Sequence, residues 1–198
     1  FAGIRRRTAV RYTALVPNLS GLDRAHAAGV AEVAVFAAAS ETFSQRNINQ
    51  TIDASLSGYA SLVRRAHEAG VRVRGYLSTA FGCPFEGAVD PVRVLEIVEH
   101  ASELGADEVV LADTIGVAVP RQVKELVSET ARRARRTGIH LHNTRNTGFA
   151  AAYARARLPR EQLLRSLVPL YLGRTASFVL EADGSGAFDE VKSMAEAA

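Results

Sequence analysis

Two histidines lie two residues apart in the short segment IHLH, at His140 and His142. In a β-strand, residues two apart point to the same side and lie about 6.6 Å apart along the chain. Their imidazoles can therefore converge on one cation, at about 2.1 Å from each nitrogen. The alternative is a hydrogen-bonded pair of strand histidines. The spacing together with a nearby carboxylate, Asp113, favours a metal site.

Asp113 ends the apolar run VVLAD. An aspartate in this position can cap the helix that follows, or it can face a functional site. Gly116 and Val117 separate it from the next helical pattern, which begins near Val119 and Pro120. This separation favours the second role.

Further polar residues follow other apolar runs of the chain. In parallel α/β folds, the loops after the strands converge at one edge of the sheet, and functional side chains gather there. The candidates at these strand ends are Ser40, Glu41, Asn47, Tyr76, Ser78, Asp113, Thr114, His140 and His142. Cys83, in the segment GCPFEG, has no base beside it in the sequence, and we assign it no chemistry.

These residues are positioned by an alternation of strand and helix patterns. Five β-prone runs, RYTALVP, EVAVFAA, VRVRGYLS, DEVVLADT and IHLHNT, are each followed by a stretch with helical spacing. Gly70, Gly105 and Gly138 are placed to end helices, and Pro91 and Pro120 to begin them. The pattern predicts an α/β fold with a parallel sheet, as a (β/α)8 barrel or a doubly wound open sheet.

The last part of the chain has a different pattern. Residues 156–198 predict helix, interrupted by Pro169 and Gly173, and carry no catalytic signature. We therefore divide the chain into a partial catalytic barrel, residues 1–155, and a helical C-terminal segment, residues 156–198, that completes the barrel or forms a lid.

Composition limits the class of protein. The 198 residues, 47% of them apolar, suit one core, whereas a complete (β/α)8 barrel needs about 250 residues, and the chain begins at Phe1, so we expect a fragment. A single cysteine excludes an internal disulfide and suits a reducing compartment. No apolar run reaches the roughly 20 residues of a membrane span. We expect a soluble, cytoplasmic protein.

The net charge of +3 includes a run of four arginines, Arg132, Arg133, Arg135 and Arg136. No aromatic residues interleave with it, so a solvated helix face is favoured over a nucleic-acid surface.

Four segments in order, VAVFAAASETFSQRNIN, VRGYLSTAFGCPFEG, LADTIGV and HLHNTRNTG, make the chain similar to the 3-hydroxy-3-methylglutaryl-CoA lyase family over about residues 1–153. That family lies within a wider group of metal-dependent enzymes that includes isopropylmalate synthase and the carboxyltransferase domain of pyruvate carboxylase.

The resemblance implies a TIM barrel that binds Mg²⁺ or Mn²⁺, acts on an acyl-CoA, and forms homodimers. It implies cleavage of 3-hydroxy-3-methylglutaryl-CoA to acetyl-CoA and acetoacetate. His140 and His142 would be metal ligands, and Asp113 would lie beside the substrate hydroxyl. The residues that would line the acyl pocket are Asn47, Arg74, Tyr76, Ser78 and Thr114.

The chain departs from the family pattern at three places. The Arg-Asp pair of the family's first strand has no counterpart, nor does the cysteine loop with its following asparagine ligand, and Asn143 replaces an aspartate. The expectation is that N-terminal strands and a loop of the active-site face are missing from the given residues, with a break near Ala154 to Arg157. A condensing synthase or aldolase of the same fold and a catalytically inactive barrel are the alternatives.

Overall fold

The computed structural model describes residues 3–7, 11–142 and 177–182. Among these residues, no helix combines the length and the apolar character needed to cross a membrane. In chain order the elements are β1 (Thr13–Leu15), α1 (Leu19–Ala27), β2 (Glu32–Ala38), α2 (Glu41–Ile48), α3 (Ile52–Glu68), β3 (Arg72–Ser78), α4 (Pro91–Glu103), β4 (Glu108–Asp113), α5 (Pro120–Thr130), β5 (Thr137–His142) and β6 (Ser177–Ala182).

The strands form one sheet in the order β1-β2-β3-β4-β5-β6, and β1 to β5 pair in parallel. A doubly wound sheet reverses its strand order at a switch point, whereas a barrel adds each strand beside the one before it. The sheet has no such reversal among the described strands. The prediction of an incomplete (β/α)8-type sheet is therefore confirmed, and the doubly wound alternative is wrong.

The two faces of the sheet differ in character. Odd-numbered residues of β2 to β5, such as Val33, Val73, Val109 and Ile139, are buried against the helices. Because successive side chains of a strand alternate between faces, the even-numbered residues point the other way. We call this second face of β2 to β5 the inner face. It carries both histidines of β5, whereas Asp113, which ends β4, is odd-numbered and falls on the helix-facing side by this alternation.

Helix ends agree with the sequence at most positions. Gly70 and Gly105 follow α3 and α4 with φ of 70° and 94°, a left-handed backbone conformation that glycine adopts without steric strain. Pro91 and Pro120 occupy the first turns of α4 and α5, as predicted. These ends fix where β3, β4 and the loops that face the site begin.

The predicted arginine-rich helix is wrong. Helix α5 ends at Thr130, residues 131–136 form turns, and Gly138 lies inside β5 rather than at a helix end. The Arg133 guanidinium donates to the Glu129 carbonyl oxygen at 2.8 Å, which satisfies a helix-end acceptor without another helical turn. Arg133 also donates to the Glu99 carboxylate at 2.8 Å, so it is paired rather than simply solvated.

The predicted C-terminal helix is wrong at Ser177–Ala182, which forms β6 antiparallel to β5. Phe178 and Val179 favour strand, and the free edge of β5 offers hydrogen-bond partners that the local pattern does not report. The rest of residues 156–198, and residues 143–155 of the predicted barrel part, lie outside the described residues.

The space around Gly75 and Gly82 provides a test of the packing between the sheet and its surroundings. A cavity of about 30 Å³ adjoins Gly75 in β3, and a Cβ built there meets nothing closer than the Glu108 carbonyl oxygen at 3.8 Å. We expect Gly75→Ala to raise the free energy of unfolding by about 0.5 to 1 kcal/mol, because alanine fills space and restricts the unfolded chain.

The matched variant is Gly82→Ala in the loop after β3. Its new Cβ would meet the Cγ2 atom of Val117 at 2.8 Å, so we expect a loss of about 1 to 3 kcal/mol. Denaturant unfolding of both variants measures the difference. Equal stabilities would contradict the packing described here.

Candidate metal and substrate site

The two histidines of β5 converge at the carboxyl edge of the sheet. The Nε2 atoms of His140 and His142 lie 3.0 Å apart, and their ring centroids are 4.9 Å apart. Both residues are half-buried on the inner face, and His140 pairs in register with Ala112 of β4. The predicted same-side geometry is thus present.

The separation of the two nitrogens fits a shared cation. Two nitrogens about 2.1 Å from one ion, at a right angle, are about 3.0 Å apart. A hydrogen bond between one protonated and one unprotonated ring fits the same distance. Among the described residues, no group of three or more His, Cys, Asp and Glu side chains is placed to hold a metal ion. A cation at this position would therefore take two of its ligands from the described residues.

The protonation state of His140 also suits metal binding. Burial lowers the pKa of His140 to about 4, with a further contribution from positive charge on His142. Its Nδ1 atom is buried and has no hydrogen-bond partner within residues 3–7, 11–142 and 177–182. A neutral imidazole, the form that binds metals, is thus favoured at neutral pH.

Asp113 ends β4 and is 1% exposed. One carboxylate oxygen accepts from the Val117 backbone N–H at 2.9 Å and the other from Ala118 at 3.1 Å. Burial raises the pKa of Asp113, while these hydrogen bonds and the charge of His142 oppose that rise. The N-cap of α5 is Val119, so the helix-cap alternative is wrong. Asp113 holds the loop after β4 in place beside the histidines.

Three of the predicted pocket residues lie at the same edge of the sheet. The Tyr76 ring meets the His140 ring edge-on, with centroids 6.1 Å apart. Ser78 ends β3 and is half-buried. The Thr114 hydroxyl accepts from the Thr79 backbone N–H at 2.7 Å. The structure thus brings Tyr76 into contact with His140 and places Ser78 and Thr114 at the carboxyl ends of β3 and β4.

Arg74 lies elsewhere. It faces the amino-terminal part of the sheet, where its Nη2 atom is 3.0 Å from Glu108 and 3.4 Å from Glu32. Burial acts to lower the pKa of Arg74, but Glu108, Tyr76 and Glu32 outweigh it and raise the pKa, so the guanidinium stays charged. Asn47 is exposed on α2. The structure does not bring these two predicted pocket residues into contact with the histidine pair.

The loop after β3 is tied to the start of α2. The Cys83 thiol lies 3.0 Å from the Ser40 hydroxyl and is 2% exposed. The Glu86 carboxylate accepts from the Thr42 backbone N–H at 2.6 Å, and hydrogen bonds from Thr42 hold the pKa of Glu86 below its usual range. Cys83 and Glu86 therefore position loops at the rim of the site.

Sequence patterns did not identify Thr79, whose hydrogen bonds connect the ends of β2, β3 and β4. Its φ is 58°, and glycine and asparagine are the residues that usually indicate this left-handed conformation in a sequence.

The sequence model of the HMGL-like family matches residues 5–158. The chain belongs to the HMGL-like family.

Named relatives agree with the family assignment. The chain is 47% identical over 156 residues to the 3-hydroxy-3-isohexenylglutaryl-CoA/hydroxymethylglutaryl-CoA lyase of Pseudomonas aeruginosa, covering 78% of this chain and 52% of that protein. The chain thus spans about half the length of this relative.

Solved structures of the HMGL-like family superpose well. The crystal structure of hydroxymethylglutaryl-CoA lyase from Pseudomonas aeruginosa matches with a TM-score of 0.74 and 43% identity, over 83% of this chain and 53% of that one. An HMG-CoA lyase from Acinetobacter baumannii, in complex with coenzyme A and 3-methylmalate, matches with a TM-score of 0.74 and 35% identity, over 78% and 51% of the two chains.

Metal titration separates the two explanations of the histidine pair. If the pair holds a cation, His142→Ala weakens Mn²⁺ binding by roughly a hundredfold, because a direct ligand matters at least as much as its supporting groups. Isothermal titration of the protein made from its complete gene measures the affinity. His26→Ala, an exposed histidine of α1, is the control and leaves the affinity unchanged. Equal affinities for both variants would favour the hydrogen-bonded pair.

The loop-holding role of Asp113 has its own test. Asparagine keeps the shape but offers one acceptor oxygen to two N–H donors, so Asp113→Asn should lower the free energy of unfolding by about 1 to 3 kcal/mol. Amide exchange at Val117 and Ala118 should become faster. Asp53→Asn, on the exposed surface of α3, is the matched control. Unchanged exchange at both amides would show that the carboxylate does not hold this loop.

Proposed function

We propose that the protein containing this chain is a carbon–carbon lyase that cleaves 3-hydroxy-3-methylglutaryl-CoA, or a similar 3-hydroxyacyl-CoA, to acetyl-CoA and acetoacetate. The observation that carries the proposal is the approach of the His140 and His142 Nε2 atoms to 3.0 Å, with the Tyr76 ring against His140. The name of the Pseudomonas aeruginosa relative supports the substrate class.

The proposed cofactor is a divalent cation, Mg²⁺ or Mn²⁺, held by His140 and His142. Imidazole ligands suit Mn²⁺ better than Mg²⁺, which prefers oxygen donors. When bound, the cation would lower the pKa of the substrate's tertiary hydroxyl, as it does for bound water.

The reaction needs a proton acceptor and a fixed acyl group. The tertiary hydroxyl loses its proton, the adjacent C–C bond breaks, and the electron pair of that bond passes to the departing acetyl-CoA, which becomes an enolate and then gains a proton. The hydroxyl-bearing carbon becomes the ketone of acetoacetate. These steps require a base beside the hydroxyl and polar groups that hold the substrate in line.

Asp113 is the proposed residue beside the substrate hydroxyl. A carboxylate has about four lone-pair sites. The two hydrogen bonds that Asp113 accepts from backbone N–H groups therefore leave capacity for a hydrogen bond from the substrate. Its burial raises the pKa of the carboxyl group, which makes it a better proton acceptor than an exposed aspartate.

The remaining chain residues would orient the acyl group. Ser78 and Thr114 offer hydroxyls at neighbouring strand ends, and Tyr76 supplies an aromatic wall against His140. Asn47 and Arg74 would act from farther away, with Arg74 acting through its ion pairs and its hydrogen bond with Tyr76.

We also propose a substrate class, an oligomeric state and a cellular location. A coenzyme A thioester as substrate is supported by the coenzyme A in the Acinetobacter baumannii structure. A homodimer in the cytoplasm remains a prediction from the resemblance and from the single cysteine.

Activity of the protein made from its complete gene tests the proposal. With Mn²⁺ and 3-hydroxy-3-methylglutaryl-CoA, we expect acetoacetate to form, and a coupled dehydrogenase detects it. Addition of a metal chelator should abolish the formation of acetoacetate. His142→Ala should lower kcat/KM by roughly a hundredfold or more, whereas His26→Ala should not. A metal-loaded protein that condenses a 2-oxo acid with acetyl-CoA, or that has no turnover at all, would overturn the lyase proposal.

A further inference from the structure

Thr79, the residue after β3, has an unusual backbone. Its φ is 58°, and its side chain is fully buried, at 0% exposed. A β-branched residue with this φ is a genuine outlier, because its side chain crowds the backbone. Among the described residues, Asn49 is the other non-glycine with positive φ, and asparagine tolerates that conformation. The strain at Thr79 therefore requires a compensating role.

The contacts of Thr79 join three strand ends. Its N–H donates to the Thr114 hydroxyl after β4 at 2.7 Å. Its hydroxyl donates to the Ser78 carbonyl oxygen at 2.7 Å and accepts from the Ala39 N–H after β2 at 3.3 Å. One residue thus links the loops that follow β2, β3 and β4.

The left-handed conformation determines where the N–H points. Residue 80, which follows, returns to the ladder through its bond to the Ala112 carbonyl oxygen, whereas the N–H of Thr79 is turned to the Thr114 side chain. Glycine or asparagine would make this turn at lower cost. Neither would supply the hydroxyl bridge to Ser78 and Ala39, which explains a threonine here.

The bond to Thr114 constrains a predicted substrate contact. A hydroxyl has one donor and two acceptor sites, and the N–H of Thr79 occupies one acceptor site of Thr114. The Thr114 oxygen is thereby fixed relative to Ser78, which is adjacent to Thr79 in the chain. The relative placement of these two hydroxyls therefore depends on the conformation of Thr79, and the bridge from the Thr79 hydroxyl to the Ser78 carbonyl oxygen and the Ala39 N–H holds that conformation.

We propose that Thr79 is a positioning residue that sets the Ser78 and Thr114 hydroxyls to receive the acyl part of the substrate. The inference rests on the proposed lyase function and on two hydrogen bonds, from the Thr79 N–H to the Thr114 hydroxyl and from the Thr79 hydroxyl to the Ser78 carbonyl oxygen. Thr79 does not itself touch substrate. Its loss should loosen substrate binding while the metal-binding histidines on β5 stay as they are.

Four variants separate positioning from simple stability. Thr79→Gly keeps the turn without strain but removes the hydroxyl, Thr79→Val keeps the shape without the hydroxyl, and Thr79→Ser keeps the hydroxyl. Thr130→Val is the matched control, since Thr130 is a buried threonine of α5 whose hydroxyl has no hydrogen-bond partner among the described residues. KM and kcat with 3-hydroxy-3-methylglutaryl-CoA, and Mn²⁺ affinity, are measured for each with the protein made from its complete gene.

We expect Thr79→Gly and Thr79→Val to raise KM by about tenfold with Mn²⁺ affinity unchanged, because small displacements of orienting groups weaken productive binding. Thr79→Ser should restore KM to within about threefold of the wild-type value. Thr130→Val should leave KM unchanged. If Thr79→Val does not fold, Thr79→Gly, which lacks the strain, still provides the test.

Two failures are distinguishable. The positioning role would be overturned if the wild-type protein is active and the Thr79→Gly variant keeps the wild-type KM. A lower kcat alone, from a smaller fraction of active protein, would count against it in the same way. Either result would leave the lyase proposal intact. A wild-type protein that binds metal yet does not cleave the thioester would overturn the lyase proposal and this inference with it.

Discussion

The alternation of side chains along β2 to β5 decides which strand residues can face the candidate site. Odd-numbered residues are buried in the helix layer, so even-numbered residues are committed to the inner face. A slip of one residue in β5 would place Ile139 and Leu141 on the inner face and both histidines among apolar helices. The burial of the apolar residues therefore also fixes the position of the candidate metal ligands.

The inner face separates two kinds of polar chemistry along the strands. At its amino-terminal part, Glu32, Arg74 and Glu108 form buried ion pairs, in which each charge is compensated by its neighbours. At the carboxyl edge, His140 is kept neutral by burial and its nitrogen faces that of His142. The first arrangement satisfies its own charges, whereas the second brings two nitrogens to a distance that suits either a hydrogen bond between the rings or a shared cation. This contrast is why we place chemistry at the carboxyl edge.

Much of the fold and part of the site could be predicted from sequence, because these features depend on local spacing. The two-residue interval of the histidines, the glycines after α3 and α4, and the prolines that begin α4 and α5 all follow from the geometry of one element at a time. The strand order needed the structure, since barrels and doubly wound sheets share the same local pattern.

The errors have long-range or conformational causes. Ser177–Ala182 is a strand because β5 offers an edge far away in sequence, and α5 stops early where the Arg133 side chain binds back to Glu129. Arg74 lies among acidic partners that belong to other strands. The hydrogen bonds from backbone N–H groups to Asp113 depend on the conformation of the loop after β4, which residue types alone do not reveal. The same is true of the left-handed φ of Thr79.

A crystal structure of the protein with Mn²⁺, with the ion located by anomalous scattering, shows whether the histidine pair holds a cation. We expect one Mn²⁺ about 2.1 Å from the Nε2 atoms of both His140 and His142. An ion bound elsewhere with these rings still in contact, or rings that point away from each other, would contradict it.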